Sequence, residues 1–299
     1  MRCLIFGASG QVGGQLVAAA ADRGLTFLGT SYRRAHSDYV SLDLRDDDAV
    51  HDLVDDLEPD VTFLPAAMTY VDYAEANAAE CAAVNVAGAR TVAAAVARTG
   101  GRLVLFSTDH VFGECPHAMR EDDPTDAPSV YAKSKVLAEA AVREELPDRH
   151  LILRTSWVFG PDETGKNFAR STVRRLGRGE TVRVASDQSG QPTYGPDLAD
   201  AAMDLAKLGA TGTYHVVGPD RHTKFTFARL IAHVFGFDAD LVVGVRTDEL
   251  EQDAPRPKEV WLDRYKLRQV LGPNAIRRPA EGLRALRDSL RPAAVRLAA

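Results

Sequence analysis

The chain has 299 residues, 45% of them hydrophobic and 26% charged, with a formal net charge of −6. That length buries a sizeable core in one large domain or two joined ones, and the acidic balance excludes a general nucleic-acid binder, which carries a basic surface. Cys3, Cys81 and Cys115 are too scattered for a disulfide framework or a metal cluster, no apolar run approaches a bilayer span, and the N-terminus lacks a signal-peptide pattern, so a cytoplasmic protein with no membrane association is expected.

In chain order, short β-rich runs alternate with helical spacing. The pattern predicts a strand over 2–6, a helix over 11–23, and strands over 26–30 and 40–43. A helix follows over 46–57, where Val50, Leu53, Val54 and Leu57 share a face, then a strand over 61–64 and an alanine-rich helix over 75–99. A strand over 103–107, a helix over 131–145 and a strand over 151–154 complete the first half. Apolar strands alternating with amphipathic helices indicate an α/β, Rossmann-type doubly wound parallel sheet. The second half is broken by Gly160-Pro161, Gly190-Gln191-Pro192, Gly218-Pro219 and Pro255-Arg256-Pro257. It predicts helices over 167–176, 197–207, 225–235 and 280–290, with strands over 181–184 and 213–217. The expected organisation is a nucleotide-binding domain over 1–160, to which segments of about 194–218 return. A smaller α+β substrate lobe spans 161–193 and 219–299. The acidic stretch 43–60 has helical periodicity and reads as a solvated face.

Gly7-Ala8-Ser9-Gly10-Gln11-Val12-Gly13 follows the first strand directly and opens the first helix. Glycines there permit a tight turn and the close approach of backbone to a pyrophosphate, while the helix start adds unpaired N–H groups and partial positive charge. The flanking strand and helix favour dinucleotide binding over a merely structural turn, with Gly7, Ser9, Gly10, Gln11, Val12 and Gly13 in contact with the cofactor. The G-x-x-G-x-x-G spacing is the short-chain dehydrogenase variant. After the second strand an acidic residue would bind a ribose 2′-hydroxyl and repel a 2′-phosphate. The chain instead has Arg33 and Arg34, with Arg33 20 residues beyond Gly13. These suit a 2′-phosphate and point to NADP(H), the alternative being a solvated arginine pair. Asp43 either reaches the adenine edge or caps the next helix.

Tyr131-Ala132-Lys133-Ser134-Lys135 contains Y-x-x-x-K, and helix positions four apart share one face. The lysine charge is expected to lower a tyrosine pKa that starts near 10 and make the phenol a usable general acid. On its own the pattern is a common accident of helix surfaces. Upstream, however, the fifth strand ends in Phe106-Ser107-Thr108-Asp109 and sets a hydroxyl at the carboxyl edge of the sheet, where ligands bind in open α/β folds. The eight histidines show no metal-binding spacing, Gly165-Lys166-Asn167 is no P-loop, and no G-x-S-x-G elbow occurs, so no metal and no hydrolase are expected.

Ser107-Thr-Asp-His-Val-Phe-Gly113, Glu121-Asp-Asp, Tyr131-Ala-Lys-Ser-Lys135, Arg154-Thr-Ser-Trp157-Val-Phe-Gly160, Lys166-Asn-Phe168 and Asp187-Gln-Ser-Gly-Gln-Pro-Thr193 occur in this order. With Arg256-Pro257 and Leu262-Asp263 they resemble the dTDP-4-dehydrorhamnose reductase family, an extended short-chain dehydrogenase group, over nearly the whole chain. The resemblance implies NADPH-dependent reduction of a nucleotide-linked 4-keto sugar by Thr108, Tyr131 and Lys135. Tyr131 would donate the proton, and Lys135 would also hold the nicotinamide ribose. It implies that Leu44, Ala66 and Ala67 line the cofactor cleft and that Asp109, His110, Trp157, Asn167 and Gln188 face the substrate. A homodimer is compatible with it. For Trp157 a buried core indole is the alternative, and His110 stands where the family has tyrosine. A sugar-nucleotide epimerase or dehydratase of the same class is the enzyme alternative. Tyr32-Arg33-Arg34-Ala35 and His222-Thr-Lys-Phe225 also resemble the regulatory β subunit of methionine adenosyltransferase, which implies an NADP-binding partner subunit instead.

Overall fold

The computed structural model describes residues 1–33, 36–115, 117–162 and 165–290. Its main sheet contains β1 (Arg2–Ile5), β2 (Thr26–Ser31), β3 (Val40–Ser41), β4 (Val61–Leu64), β5 (Arg102–Thr108), β6 (His150–Thr155) and β7 (Gly212–His215). All run parallel, in the spatial order β7-β6-β5-β4-β1-β2-β3. The chain builds outward from β1 to β3, then returns to the other side of β1 with β4. The carboxyl ends of β1 and β4 therefore diverge into a crevice, the ligand position of a doubly wound sheet.

The longer helices are α1 (Gln11–Asp22), α2 (Asp47–Leu57), α3 (Gly88–Thr99), α4 (Val130–Glu145), α5 (Phe168–Leu176), α6 (Gly195–Lys207), α7 (Lys224–Phe235), α8 (Tyr265–Leu271) and α9 (Pro279–Ser289). β4 is buried at every position because helices cover both faces of the sheet. On one face Leu16 and Ala20 of α1 and Leu198 and Met203 of α6 pack on Ile5, Phe63 and Leu153. On the other, Val50 of α2, Val92 and Val96 of α3 and Val142 of α4 pack on Leu4, Leu64 and Ile152. A separate cluster joins Phe159 and Tyr194 of two short strands to Ala169, Phe227, Ile231 and Leu283 of the later helices. Short parallel pairs (Val242–Val245 with Val182–Ala185, Thr193–Tyr194 with Val158–Phe159) and an antiparallel one (His222–Thr223 with Ser189–Gly190) surround it.

Several expectations from the sequence need correction. The helix expected over 75–99 is not continuous: Val71–Ala76 and Ala78–Ala82 are separate short helices, a π-helical turn spans Ala83–Ala87, and only then does α3 begin. The break falls at Asn77, whose φ of −132° and ψ of 52° are not helical. The extra residue of the π turn turns Asn85 inward, where it is 2% exposed. The third strand stops at Ser41, and α8 is a helix that the sequence reading did not include. Asp46, not Asp43, caps α2, accepting from Ala49 N at 3.1 Å. No helix among the described residues is long and apolar enough to cross a membrane.

Candidate functional site

A cleft of about 850 Å³ opens at the divergence of β1 and β4, and every residue from Gly7 to Gly13 except Ala8 lines it. The turn admits no side chains where it bends. Gly7 has φ +82°, and a Cβ on it would lie 2.9 Å from Ala66 Cβ. A Cβ on Gly13 would lie 2.0 Å from the Gly7 carbonyl oxygen. α1 starts on Gly10 with no side-chain cap and no acidic residue in its first turn, so its leading N–H groups face the cleft unclaimed. A dinucleotide pyrophosphate fits this cradle.

Beyond β2 the cleft is lined by Arg33, Asp43 and Leu44, and after β4 by Ala66 and Ala67. Arg34 lies outside the described residues. Asp43 is held by Arg45, whose Nε donates to Oδ2 at 2.9 Å and Nη2 at 2.5 Å. The Arg45 hydrogen bond keeps the Asp43 carboxyl below the usual carboxylate range. Arg45 also lies over the Tyr32 ring and donates to its hydroxyl at 2.6 Å. The sequence reading missed this second cationic side chain, although its position two residues after Asp43 was a usable signal.

The catalytic candidates meet in the same cleft. Thr108, at the end of β5, and the Tyr131 phenol of α4 are neighbours on its wall. The Thr108 hydroxyl donates to Asp109 Oδ1 at 3.1 Å, and Ser156 Oγ donates to Asp109 Oδ2 at 2.5 Å. Asp109 is 2% exposed with each oxygen engaged by a hydroxyl, so it orients Thr108. Lys135, one turn along α4, is also buried, and its ammonium makes no hydrogen bond among the described residues. One further turn on, Glu139 accepts from Ser107 Oγ at 2.6 Å and from Arg154 Nη2 at 2.8 Å. Burial opposes ionisation of Glu139, but the Arg154 contacts outweigh it and hold the carboxyl below its usual range.

The Tyr131 phenol is shifted up, not down as its spacing from Lys135 suggests. Burial pushes it up, the neighbouring Thr108 hydroxyl only partly offsets this, and the Asp109 charge adds to it. Burial likewise pushes Lys135 down to about 8, with the Glu139 charge opposing. Removing both groups from water favours their neutral forms more than the Tyr131–Lys135 spacing favours their charged ones.

Asn85 was also invisible in the sequence. Its side chain accepts from Met68 N at 2.7 Å, donates to Met68 O at 3.1 Å and donates to Ser134 Oγ at 2.9 Å. It therefore ties the loop after β4 to the helix that carries Tyr131 and Lys135. Only the π turn brings it into position.

A side cavity of about 160 Å³ adjoins the cleft, and His110 and Trp157 line both. Trp157 has φ +42°, a strained setting for a bulky residue. Its indole lies against Gly190, where a Cβ would come within 2.7 Å of Cε2. Lys224 Nζ sits 3.5 Å from the Trp157 ring centroid and makes no ion pair among the described residues. Gln188 lines the side cavity, donating to Gln252 Oε1 at 2.7 Å. Arg256 lines it too, paired to Asp72 Oδ2 at 2.6 Å. The His110 ring is 6.2 Å from that of Tyr131, its Nδ1 is buried without a partner, and burial lowers its pKa. Asn167 lines neither cavity. It caps α5 instead, accepting from Arg170 N at 3.0 Å and donating to Gly160 O at 3.2 Å. Among the described residues no cluster of His, Cys, Asp or Glu could hold a metal ion.

A glycine turn on a doubly wound parallel sheet, with a strand-end threonine and a Tyr/Lys helix in the same cleft, defines an extended short-chain dehydrogenase/reductase. A family model described as the RmlD substrate binding domain matches residues 1–288, and the chain belongs to that family. It is 37% identical to a dTDP-4-dehydrorhamnose reductase of Streptomyces griseus, covering 89% of this chain and 86% of that protein. It is 35% identical to a dTDP-4-keto-6-deoxy-D-glucose reductase of Streptomyces niveus, covering 87% and 88%. The structure of a Bacillus anthracis dTDP-4-dehydrorhamnose reductase in complex with NADP superposes with a TM-score of 0.88 at 31% identity, covering 96% of this chain and 99% of that one.

Proposed function

We propose that this protein is an NADPH-dependent reductase of a nucleotide-linked 4-keto sugar, acting at C4. One observation carries the reading: Thr108, Tyr131 and Lys135 line the same cleft as the glycine turn. Relatives named for two different dTDP-linked 4-keto sugars support the substrate class. In this reading the nucleotide-binding domain comprises 1–160 with 194–218, and 161–193 with 219–299 form the substrate lobe.

NADPH supplies the hydride for the carbonyl carbon when bound. Tyr131 is neutral in its buried setting and gives its phenolic proton to the carbonyl oxygen. Thr108, oriented by Asp109, stands beside that oxygen. The Lys135 ammonium faces the charge left on Tyr131 and holds the nicotinamide ribose. The test is NADPH oxidation with purified nucleotide-linked 4-keto sugars, dTDP-4-dehydrorhamnose first. Failure to oxidise NADPH with every member of that class would end the proposal.

Arg33→Ala is expected to weaken NADPH binding about tenfold, the worth of one charge-assisted hydrogen bond, with little change for NADH. Titration with both cofactors decides it, since equal losses would remove Arg33 from the 2′-phosphate.

The side cavity is the proposed seat of the substrate diphosphate. In a pyranose C1 lies opposite C4, so a sugar with C4 at Tyr131 extends its C1 substituent past His110 toward Lys224 and Arg256. Lys224→Met keeps the contact with the Trp157 and Phe168 rings and removes the charge. The KM for the nucleotide sugar should rise about tenfold while the NADPH Kd stays put. Burial pushes Lys224 down to about 7, so the ammonium is present below that pH and lost above it. The difference between wild type and variant should therefore shrink as pH rises through 7, and a pH-independent difference would argue against a charge effect.

A further inference from the structure

The donors suited to a 2′-phosphate are engaged by a carboxylate of the chain itself. Glu80 sits on the short helix Ala78–Ala82 after β4, while Arg33 comes from the opposite wall, after β2, and both line the cleft. Arg33 Nη2 donates to Glu80 Oε1 at 2.8 Å, the Tyr73 hydroxyl donates to Oε2 at 2.8 Å, and Arg45 Nη1 lies 4.0 Å from Oε1. Glu80 is 25% exposed and Arg33 68%, so the acid is the more enclosed member of the pair and the guanidinium the more accessible one. Two guanidiniums and a phenolic hydroxyl around a pair of anionic oxygens form a phosphate-type donor set. The Glu80 hydrogen bond also raises the Tyr73 pKa, which keeps that hydroxyl a donor.

We infer that Glu80 is a built-in competitor for the 2′-phosphate of NADPH, holding Arg33 and Tyr73 until the cofactor takes them. The inference rests on the NADPH reading above. A phosphate monoester carries more charge than a carboxylate and wins the cations. It must first break the Arg33–Glu80 pair, and it then lies beside the displaced acid. A ribose 2′-hydroxyl has no charge to exchange for Arg33, so NADH binding bypasses the competition. Glu80 therefore narrows the gap between the two cofactors, and the gap widens when its charge is removed.

The experiment measures the Kd of NADPH and NADH by nicotinamide fluorescence, without substrate, for wild type, Glu80→Gln and Arg33→Ala. Glutamine keeps the volume and an acceptor for Tyr73. It should tighten NADPH roughly fivefold, the upper range for an exposed ion pair, and change NADH less than twofold. The NADPH gain should shrink in high salt, where exposed charges are screened. If Glu80→Gln leaves NADPH unchanged or weaker while Arg33→Ala weakens NADPH alone, the competitor role is overturned and the cofactor reading stands. If Arg33→Ala affects both cofactors equally, the 2′-phosphate assignment fails and takes the competitor role with it.

Discussion

Tyr131→Phe is expected to lower turnover on a nucleotide-linked 4-keto sugar by about 10²–10⁴-fold, the usual contribution of a positioned general acid. Only a hydroxyl is lost, from a side chain that shares the cleft wall with Thr108. The fold and the NADPH Kd should therefore stay close to wild type, so single-turnover kinetics at saturating cofactor isolates the chemical step. Because Lys135 is pushed down to about 8, its ammonium is present below that pH. The wild-type kcat/KM should accordingly fall as pH rises past about 8. Near-normal turnover of Tyr131→Phe on a confirmed substrate would move the proton-donor role to another residue.

Gly13→Ala is the second large effect expected, and it acts through the cofactor. The added Cβ would lie 2.0 Å from Gly7 O, 2.7 Å from Gly7 C and 2.8 Å from Ala8 Cα. All three are backbone atoms, so no flexible side chain can yield, and the turn itself must open. Overpacking of this kind costs about 1–3 kcal/mol or more. Distortion of the cradle should add a loss of NADPH affinity of about a hundredfold, roughly 2.7 kcal/mol. Gly14→Ala is the control one residue on. Its Cβ would have only Ala8 O as a neighbour, at 3.7 Å. Alanine is favoured over glycine in a helix by up to about 1 kcal/mol, so this variant should bind NADPH normally and melt at or above the wild-type temperature. Calorimetry and cofactor titration on the pair decide the matter; equal behaviour would show that the turn tolerates a side chain.

What the sequence revealed of this protein was local. The glycine turn lies within seven residues, and Tyr131 and Lys135 lie one helical turn apart, so motif and period suffice to find them. The parallel sheet followed from apolar runs alternating with helices. The rest depends on contacts between distant segments. Lys224 meets Trp157, Arg256 meets Asp72, and Arg33 meets Glu80 only after the sheet is assembled. Asn85 requires a π turn that its alanine-rich surroundings conceal, and the strain at Trp157 is a property of the closed fold. The pKa of Tyr131 was misjudged for the same reason. Spacing reveals which charges are neighbours, whereas burial, which decides the sign here, is a property of the whole molecule.

The edge strand β7 has a consequence for biogenesis. β6 is buried along nearly its whole length, and one of its two neighbours is β7, which begins more than fifty residues later in the chain. During synthesis, β6 therefore leaves the ribosome with an unpaired apolar edge. The intervening segment must also emerge before Gly212–His215 can cover it. Bare strand edges template pairing between chains, and pairings between remote segments form slowly. The interval between translation of β6 and of β7 is thus the period of greatest aggregation hazard for this protein, and the one in which a chaperone would do most for its yield.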